Sequence, residues 1–290
     1  MGPIGLREQQ KYHDSFCGKI VLEWKTPQFH KKNIVLVEGI RDKCVYSKFV
    51  SSITEVRTTS GCRELLEILK DIRVNLPVPS IAIKDSDFCR VNNSLIEYSG
   101  FFYTDAHDCE MMMLSCNQAF VTTISELSIR LDKIQLSHIW DLLKPISLLK
   151  WFCFSSIPEK RLYLRGLKVW DMSDCQAFSF EYLVSNAQAA TKDKGRDVQI
   201  DLEELKSFCN SKERFNEWEV VNGHDFIKML ITHTKNKCSA KSFYEVLSSN
   251  YSLGCFKKTE LYRAVKEYES TLSERCPLPP KTEHLIAIEN

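Results

Sequence analysis

Residues 34–42 read IVLVEGIRD, and this stretch decides the kind of fold that the chain can adopt. Four consecutive apolar residues, three of them β-branched, are typical of a strand that is buried on both faces. Glu38 and Gly39 end this strand, and apolar residues between Val45 and Ile53 then recur at helical spacing. The stretch therefore predicts a strand, a turn and a helix.

The same alternation of strand and helix continues over the first hundred residues. Short strands are predicted at 56–59, 81–83 and 101–104, and a strongly periodic helix with leucine and isoleucine at 65–72 lies between the first two of them. Strands that alternate with helices pair in parallel and are joined by right-handed crossovers. We therefore predict an α/β fold with a mostly parallel sheet flanked by helices.

The second half of the chain has a different pattern, with long amphipathic segments. Helices are predicted over 120–154 with Pro145 interrupting, and over 201–218, 224–234, 241–249 and 258–272. A strand or two is predicted at 162–171, and a polar loop at 191–197. The expected organisation is an α/β core at residues 1–118 and a mainly helical portion at residues 119–290 that packs on it.

Composition and charge narrow the class of protein. The 290 residues are 43% hydrophobic and 27% charged, as in folded globular proteins. The net charge is +1, so no overall field favours or excludes a nucleic-acid partner. Because the sequence has neither a membrane-spanning apolar run nor an apolar signal-peptide core, we expect a cytoplasmic protein without a membrane anchor. The 12 scattered cysteines, without a CxxC pair, are expected to be reduced and mostly buried thiols.

Acidic residues follow three of the four predicted strands. Glu38 follows the first strand, and Asp85 and Asp87 follow the third. Asp105 follows the fourth, and residues 81–110 hold six acids against two bases. Functional groups of open α/β sheets collect at the carboxyl ends of the strands, and crowded carboxylates suit a hard cation such as Mg²⁺ or Mn²⁺. Such an ion would support phosphoryl transfer, although aspartates at these places also form turns and cap helices.

Four segments, taken in order, resemble a known family. IVLVEGIRD at 34–42 and IAIKDSD at 81–87 are similar to the Toprim pattern of topoisomerases, bacterial primases and OLD-family nucleases, in which a Glu follows one strand and DxD a later one. With FFYTDAHDCEMM at 101–112 and NGHDFIKML at 222–230, the chain resembles more narrowly the Toprim-related family of AriB-like effectors of PARIS anti-phage defence systems. These matches span most of the chain.

The resemblance implies roles for the acids at the strand ends. Glu38 matches the Toprim general acid/base and also a metal ligand, while Asp85 and Asp87 match the metal-binding pair. Asp42 matches an aspartate that often follows the Glu. Asp105 falls on the motif of the narrower family, and its role stays open.

Three further residues of that motif are candidates for the site. His107 is predicted as a second catalytic residue, because a histidine beside carboxylates can relay protons near neutral pH. Asp108 and Glu110 are predicted as additional metal ligands, and the alternative for them is to cap the helix that they enter. The late motif around Gly223 contains good helix-capping residues, so a capping role is the alternative to a functional one there as well.

Basic residues are needed where an acidic centre meets a phosphate backbone. Lys32, Arg41 and Lys43 flank the first strand, and Lys257 and Lys258 lie in a segment, 228–266, with eight bases against two acids. We predict these five as substrate-binding residues. The aromatic residues Tyr244, Tyr251, Phe256 and Tyr262 interleave with the bases of that segment. This pattern suits phosphate-backbone contacts with stacking on nucleobases, and equally a solvated helix face with buried aromatics.

The family resemblance implies a Mg²⁺-dependent endonuclease that acts as a toxic effector in bacterial anti-phage defence, cleaving RNA such as tRNA. It further implies an ABC-type ATPase partner that senses infection and inhibits the effector, and a homodimer in the active state. The chain has no GxxxxGK[ST] motif, so ATP hydrolysis is expected of the partner alone. Two alternatives stay open, a DNA nuclease of the OLD type and a non-catalytic Toprim-like module that binds nucleic acid or a partner.

Overall fold

The computed structural model describes residues 16–30, 32–59, 65–76, 78–157, 161–164, 179–212 and 214–275. The chain forms two compact units. The first contains the residues up to Asp85, Ile96–Thr104 and the residues from Phe256 onward, and the second contains Ser86–Leu95 and Asp105–Cys255. Both units are discontinuous in sequence, unlike the sequential division at residue 118 that the sequence predicts.

The first unit is built on a sheet of four parallel strands in the order β2-β1-β3-β4. The strands are β1 (Asn33–Val37), β2 (Thr54–Thr58), β3 (Ser80–Lys84) and β4 (Phe101–Tyr103). Its helices are α1 (16–24), α2 (Ile40–Tyr46), α3 (Leu65–Asn75) and α13 (Glu260–Arg275). The predicted α/β fold with a parallel sheet flanked by helices is confirmed.

Burial of β1 explains why its sequence is apolar throughout. All five residues of the strand are buried, because β1 lies between β2 and β3 and helices cover its faces. Ile34 and Leu36 pack in one hydrophobic cluster with Trp24 of α1 and with Leu65 and Leu69 of α3. The side chains of a strand alternate between faces, so Ile34 and Leu36 share one face of the sheet.

The second unit is helical. It contains α4 (Cys109–Ser115), α5 (Asn117–Glu126), α6 (Lys133–Ser155), α7 (Phe180–Lys192), α8 (Leu202–Ser211), α9 (Glu217–Val220), α10 (Gly223–His233) and α11 (Ala240–Asn250). The short helix α12 (Leu253–Phe256) spans the point in the sequence where the second unit ends and the first resumes. Helix α6 packs against α7, α8, α9 and α10, and α5 packs against α11. Within the described residues, no helix is both long and apolar enough to cross a membrane.

The break in the predicted helix at 120–154 does not fall at Pro145. Helix α6 runs through Pro145, and the chain instead breaks between α5 and α6. There Asp132 and Gln135 form a reciprocal capping box with bonds of 2.8 and 3.0 Å, which fixes the start of α6. Helix α6 buries ten residues, and this packing outweighs the one backbone hydrogen bond that proline removes.

Two other predicted elements differ from the structure. Residues 162–164 form no strand, and the rest of the strand segment predicted at 162–171 lies outside the described residues. The helix predicted through Ile53 ends at Tyr46, and Phe49 beyond it stacks on Phe256 at a centroid distance of 4.9 Å. Aromatic packing produced the apolar spacing in that segment, rather than a longer helix.

Candidate functional site

Glu38 and Asp85 follow neighbouring strands of the first unit, where the strand order reverses. In the register of β1 and β3, Val37 lies opposite Ile83, so Glu38 comes one residue after that pair and Asp85 two. Parallel strands lie about 4.8 Å apart, and both acids therefore emerge from adjacent strands at the carboxyl edge of the sheet. This edge, at a topological switch point, is where open α/β sheets bind their ligands.

Lys84 lies beside both acids. Its ammonium is 3.5 Å from Glu38 Oε1, and the two side chains are only 14% and 18% exposed. The same ammonium donates a hydrogen bond of 3.1 Å to the backbone oxygen of Asp85 and lies 5.9 Å from the ring centroid of Tyr103. A partly buried cation at this place can orient the Glu38 carboxylate and meet a phosphate oxygen. Sequence reasoning missed Lys84, whose one signal was its position directly before Asp85.

Asp42 stabilises the turn after β1. Its Oδ2 accepts a hydrogen bond of 2.8 Å from the Gly39 N–H, and its side chain is 8% exposed. The bond closes the first turn of α2 and so fixes the backbone that directly follows Glu38. The aspartate of the VEG-IRD segment thus positions the chain at the candidate site.

The predicted substrate-binding bases near β1 belong to a local ion-pair network. Glu55 of β2 lies 3.5 Å from the Lys32 ammonium and 3.9 Å from that of Lys43. Arg57 joins Glu55 at 3.7 Å and Glu23 at 2.8 Å. Arg41 is half-buried at the start of α2. Lys32 and Lys43 are thus partly neutralised along β2, which leaves Lys84 as the cation closest to Glu38 among these contacts.

The basic segment 228–266 uses its aromatic residues mainly as core. Tyr244, Tyr251 and Phe256 are buried, and Tyr262 is half-buried with its ring 5.6 Å from that of Phe256. The three buried rings are therefore part of the core, and the prediction that they stack on nucleobases is wrong. Lys257 is half-buried and Lys258 is exposed, and both lie in the first unit directly after α12. Their role in substrate binding stays a prediction.

Asp87 is the first candidate residue along the sequence that belongs to the second unit. It has a left-handed backbone with a φ of 46°, and its N–H donates a hydrogen bond of 2.7 Å to the His107 backbone oxygen. Aspartate tolerates this conformation better than most residues, and such strain is often found at functional turns. Asp105 also belongs to this unit and is half-buried.

His107 is buried and fixed by hydrogen bonds. Its backbone N–H donates to the Trp218 oxygen at 2.8 Å, and its Nδ1 lies 3.2 Å from the Glu219 oxygen. Burial lowers the pKa of His107 below its ordinary value, and the opposing effect of the Asp87 charge is smaller. The imidazole is therefore held neutral, with Nδ1 as the donor to Glu219 and Nε2 as the basic nitrogen.

Asp108 links the starts of two helices. One carboxylate oxygen accepts from the Met111 N–H at 2.8 Å, and the other accepts from the Gly223 N–H at 2.8 Å. Burial, and then the charge of Glu110, raises the pKa of Asp108 well above its ordinary value. Both Asp108 and Glu110 are buried, at 5% and 9% exposure. These bonds favour the capping role for Asp108 that the sequence left open.

The late motif NGHD, residues 222–225, forms and caps the start of α10. Asn222 Oδ1 accepts from the N–H groups of His224 and Asp225 at 3.1 and 3.4 Å, and Asp225 forms an ion pair with Lys150 of α6. A Cβ atom on Gly223 would come within 2.7 Å of Asp108 Oδ1, so the absence of a side chain lets α10 approach α4. Helix capping and close packing thus account for this motif.

A cavity of about 420 Å³ lies within the second unit. It is lined by Asp87, Phe88, His107, Lys150, Cys153, Phe154, Arg161, Leu162, Leu164 and Asn222. Sequence analysis predicted Asp87 and His107 as functional residues but missed Lys150 and Arg161. Those two bases lie far along the chain from the acidic segment, and nothing in their own surroundings distinguishes them from surface bases.

Glu38 and Asp85 supply ligand atoms that Mg²⁺ or Mn²⁺ prefers. These ions are commonly held by one or two carboxylates together with water and phosphate oxygens of the substrate. In the part of the chain that the structure describes, no three side chains of His, Cys, Asp or Glu group together as metal ligands. An ion held by two carboxylates here would need water and substrate oxygens to complete its shell. Asp87 belongs to the other unit, and its part in metal binding stays a prediction.

The fold and this strand edge define the protein as an α/β protein with a candidate acidic site at a topological switch point. Comparison with known protein families and with curated proteins finds no match to this chain.

Proposed function

We propose that the chain is a Mg²⁺- or Mn²⁺-dependent endonuclease of the Toprim type, with its centre at Glu38 and Asp85. The observation that carries this proposal is the position of the two acids, after adjacent parallel strands at the switch point of the sheet. The proposal also rests on the resemblance of the surrounding segments to Toprim nucleases.

In the proposed reaction, Glu38 and Asp85 hold the divalent ion and Glu38 moves the proton. When bound there, the ion would polarise the scissile phosphate and make a coordinated water more acidic. Glu38 takes a proton from the attacking water or returns one to the leaving oxygen. Lys84 keeps the Glu38 carboxylate oriented through their 3.5 Å ion pair, and its ammonium can bind a phosphate oxygen. Asp42 fixes the turn that carries Glu38.

The proposed substrate is RNA such as tRNA, and the proposed role is that of a toxic effector in bacterial anti-phage defence. The support for this part is the likeness of the four segments to AriB-like effectors. An ABC-type ATPase partner would hold the effector inactive, and release would allow a homodimer to act in the cytoplasm. His107 belongs to the second unit and its neutral imidazole keeps a basic nitrogen, so its part in proton transfer stays a prediction from the sequence.

The proposal is tested by inducing the wild-type chain, Glu38→Gln and the control Glu67→Gln in bacteria. Glu67 is an exposed acid of α3 in the same unit, so its substitution removes one charge away from the strand edge. We expect growth arrest and discrete RNA fragments with the wild type and the control, and neither with Glu38→Gln. A second arm of the experiment co-expresses the proposed ABC-type ATPase partner. That partner should hold the effector inactive and release it on infection.

Other results would change the proposal in defined ways. Nicked or degraded plasmid DNA with intact RNA would favour the DNA nuclease of the OLD type. Equal toxicity of the wild type and Glu38→Gln would contradict a catalytic Glu38 and favour the non-catalytic binding module.

A further inference from the structure

The cavity of the second unit has an aromatic wall that is held rigidly. The Phe88 ring lies 4.7 Å from the His107 ring, 6.2 Å from the parallel Trp151 ring and 5.4 Å from the Phe154 ring, measured between centroids. Trp151 is fixed in turn, since its Nε1 donates to Asn92 Oδ1 at 2.7 Å. Phe88 is buried whereas Phe154 is half-buried, so the wall offers a preformed apolar surface to a flat ligand.

Arg161 supplies the positive charge of this cavity. Its Nε donates to the Ser156 oxygen at 3.1 Å and its Nη2 to the Phe154 oxygen at 2.9 Å, which leaves the two hydrogens of Nη1 outside these bonds. The guanidinium lies 5.7 Å from the Phe154 ring centroid. Among the described residues, no carboxylate forms an ion pair with Arg161. An anchored guanidinium of this kind is suited to phosphate.

The remaining polar residues that line the cavity present different charges, donors and acceptors to a ligand. Lys150 is ion-paired with Asp225, so it adds less positive charge than Arg161 does. Asn222 uses Oδ1 to cap α10, and this leaves its amide hydrogens as donors. Asp87 provides an acceptor. A flat heterocycle with donors and acceptors on its edge, joined to a phosphate, matches this combination of an apolar wall, a cation and edge-reading groups.

We propose that this cavity binds one unpaired nucleotide of the RNA substrate, with the base against Phe88 and Phe154 and a phosphate at Arg161. The inference rests on the proposed function, because it takes RNA as the substrate, and it adds a recognition site to it. The volume of about 420 Å³ falls in the range of roughly 300–1,000 Å³ typical of small-ligand sites. A base inside a duplex hides its faces by stacking, whereas loops and single strands can present a splayed base. The protein would therefore select RNA at unpaired positions.

The test measures RNA binding by the full chain carrying Glu38→Gln, which removes cleavage from the assay. A fluorescently labelled single strand of about 12 nucleotides is titrated, and the same strand is titrated again after it is paired to its complement. Phe154→Leu and Arg161→Met are compared in this background with the control Arg214→Met, an exposed arginine of the same unit outside this cavity. Thermal unfolding midpoints of all variants identify any change in folding.

We expect single strands to bind at least about tenfold more tightly than duplex, and each cavity variant to lose about tenfold in affinity while the control changes less than twofold. Equal binding by the cavity variants and the control would overturn the inference, and so would tighter binding of duplex or of an acidic peptide.

Failure of the inference and failure of the proposed function can be told apart. RNA cleavage by the wild type together with unchanged binding by the cavity variants would remove the recognition site and keep the nuclease. Cavity-dependent RNA binding without cleavage by the wild type would keep the site and remove the nuclease.

Discussion

At the scale of single residues, Gly223 shows how a motif can be explained by packing. Its N–H donates to Asp108 and its missing side chain lets α10 approach α4. We expect Gly223→Ala to lower the free energy of unfolding by about 1–3 kcal/mol, because a methyl group would overlap Asp108 and Glu110. Urea unfolding of both proteins measures the effect.

Gly18 is the matched control for that substitution. It lies in α1, and a Cβ atom there would meet no other atom within 4 Å. Gly18→Ala should leave stability unchanged or raise it by about 0.5–1 kcal/mol, as alanine favours a helix over glycine. Equal destabilisation by the two substitutions would contradict the close-packing account of Gly223.

We expect His233 to make the stability of the protein depend on pH. Burial, and then the neighbouring His138, lowers the pKa of His233, and the two rings are 5.1 Å apart. A histidine with a lowered pKa binds its proton less readily when folded, so stability is lost as the pH falls below about 6.5. We expect unfolding free energies at pH 7.5 and 5.5 to differ more in the wild type than in His233→Asn. The same difference in both proteins would contradict this.

At the scale of secondary-structure elements, Arg73 of α3 joins parts of the first unit that are distant in sequence. It donates to the backbone oxygen of Ser80 at 2.7 Å, to the Tyr268 hydroxyl of α13 at 2.7 Å and to the backbone oxygen of Ser99. Arg73→Lys should lower the free energy of unfolding by about 1–3 kcal/mol, because lysine cannot make these divergent bonds together. Chemical denaturation compares it with Arg263→Lys on the exposed face of α13, which should change little.

Strands β1, β3 and β4 could be predicted because each contains a short apolar run with an acid one or two residues after its end. The packing of α13 against β4 could not, since residues 105–255 of the second unit separate the two elements in sequence. The prediction that Pro145 interrupts a helix was wrong for a related reason. Local propensity predicts a break, whereas the burial of α6 is a tertiary effect that propensity does not contain.

At the scale of the whole molecule, the thiols report how deeply individual residues of the described chain are buried. All nine described cysteines are free, five of them are buried, and Cys44 is exposed. Burial raises the pKa of Cys209 to about 11, so its reactive thiolate is scarce near neutral pH. With iodoacetamide at about pH 8, Cys44 should be labelled first and Cys209 only after denaturation, as measured by peptide mass mapping. Comparable native labelling of both would contradict the described burial.

The candidate site was predictable only where its residues follow strands. Glu38 and Asp85 could be located from sequence because parallel strands bring their carboxyl ends to one edge of a sheet. Asp108 was ambiguous, since capping and metal binding use the same carboxylate oxygens. Lys150 and Arg161 could not be found, because the folding of distant helical segments brings them to the cavity.

The most direct test of the account is the rate of RNA cleavage by purified protein with Mg²⁺ or Mn²⁺. If Glu38 transfers the proton, Glu38→Gln should cleave at least about 100-fold more slowly than the wild type, while Glu67→Gln stays within about twofold. Unfolding midpoints of the three proteins should agree. Cleavage at the wild-type rate by folded Glu38→Gln would contradict the central claim that this strand edge is a catalytic centre.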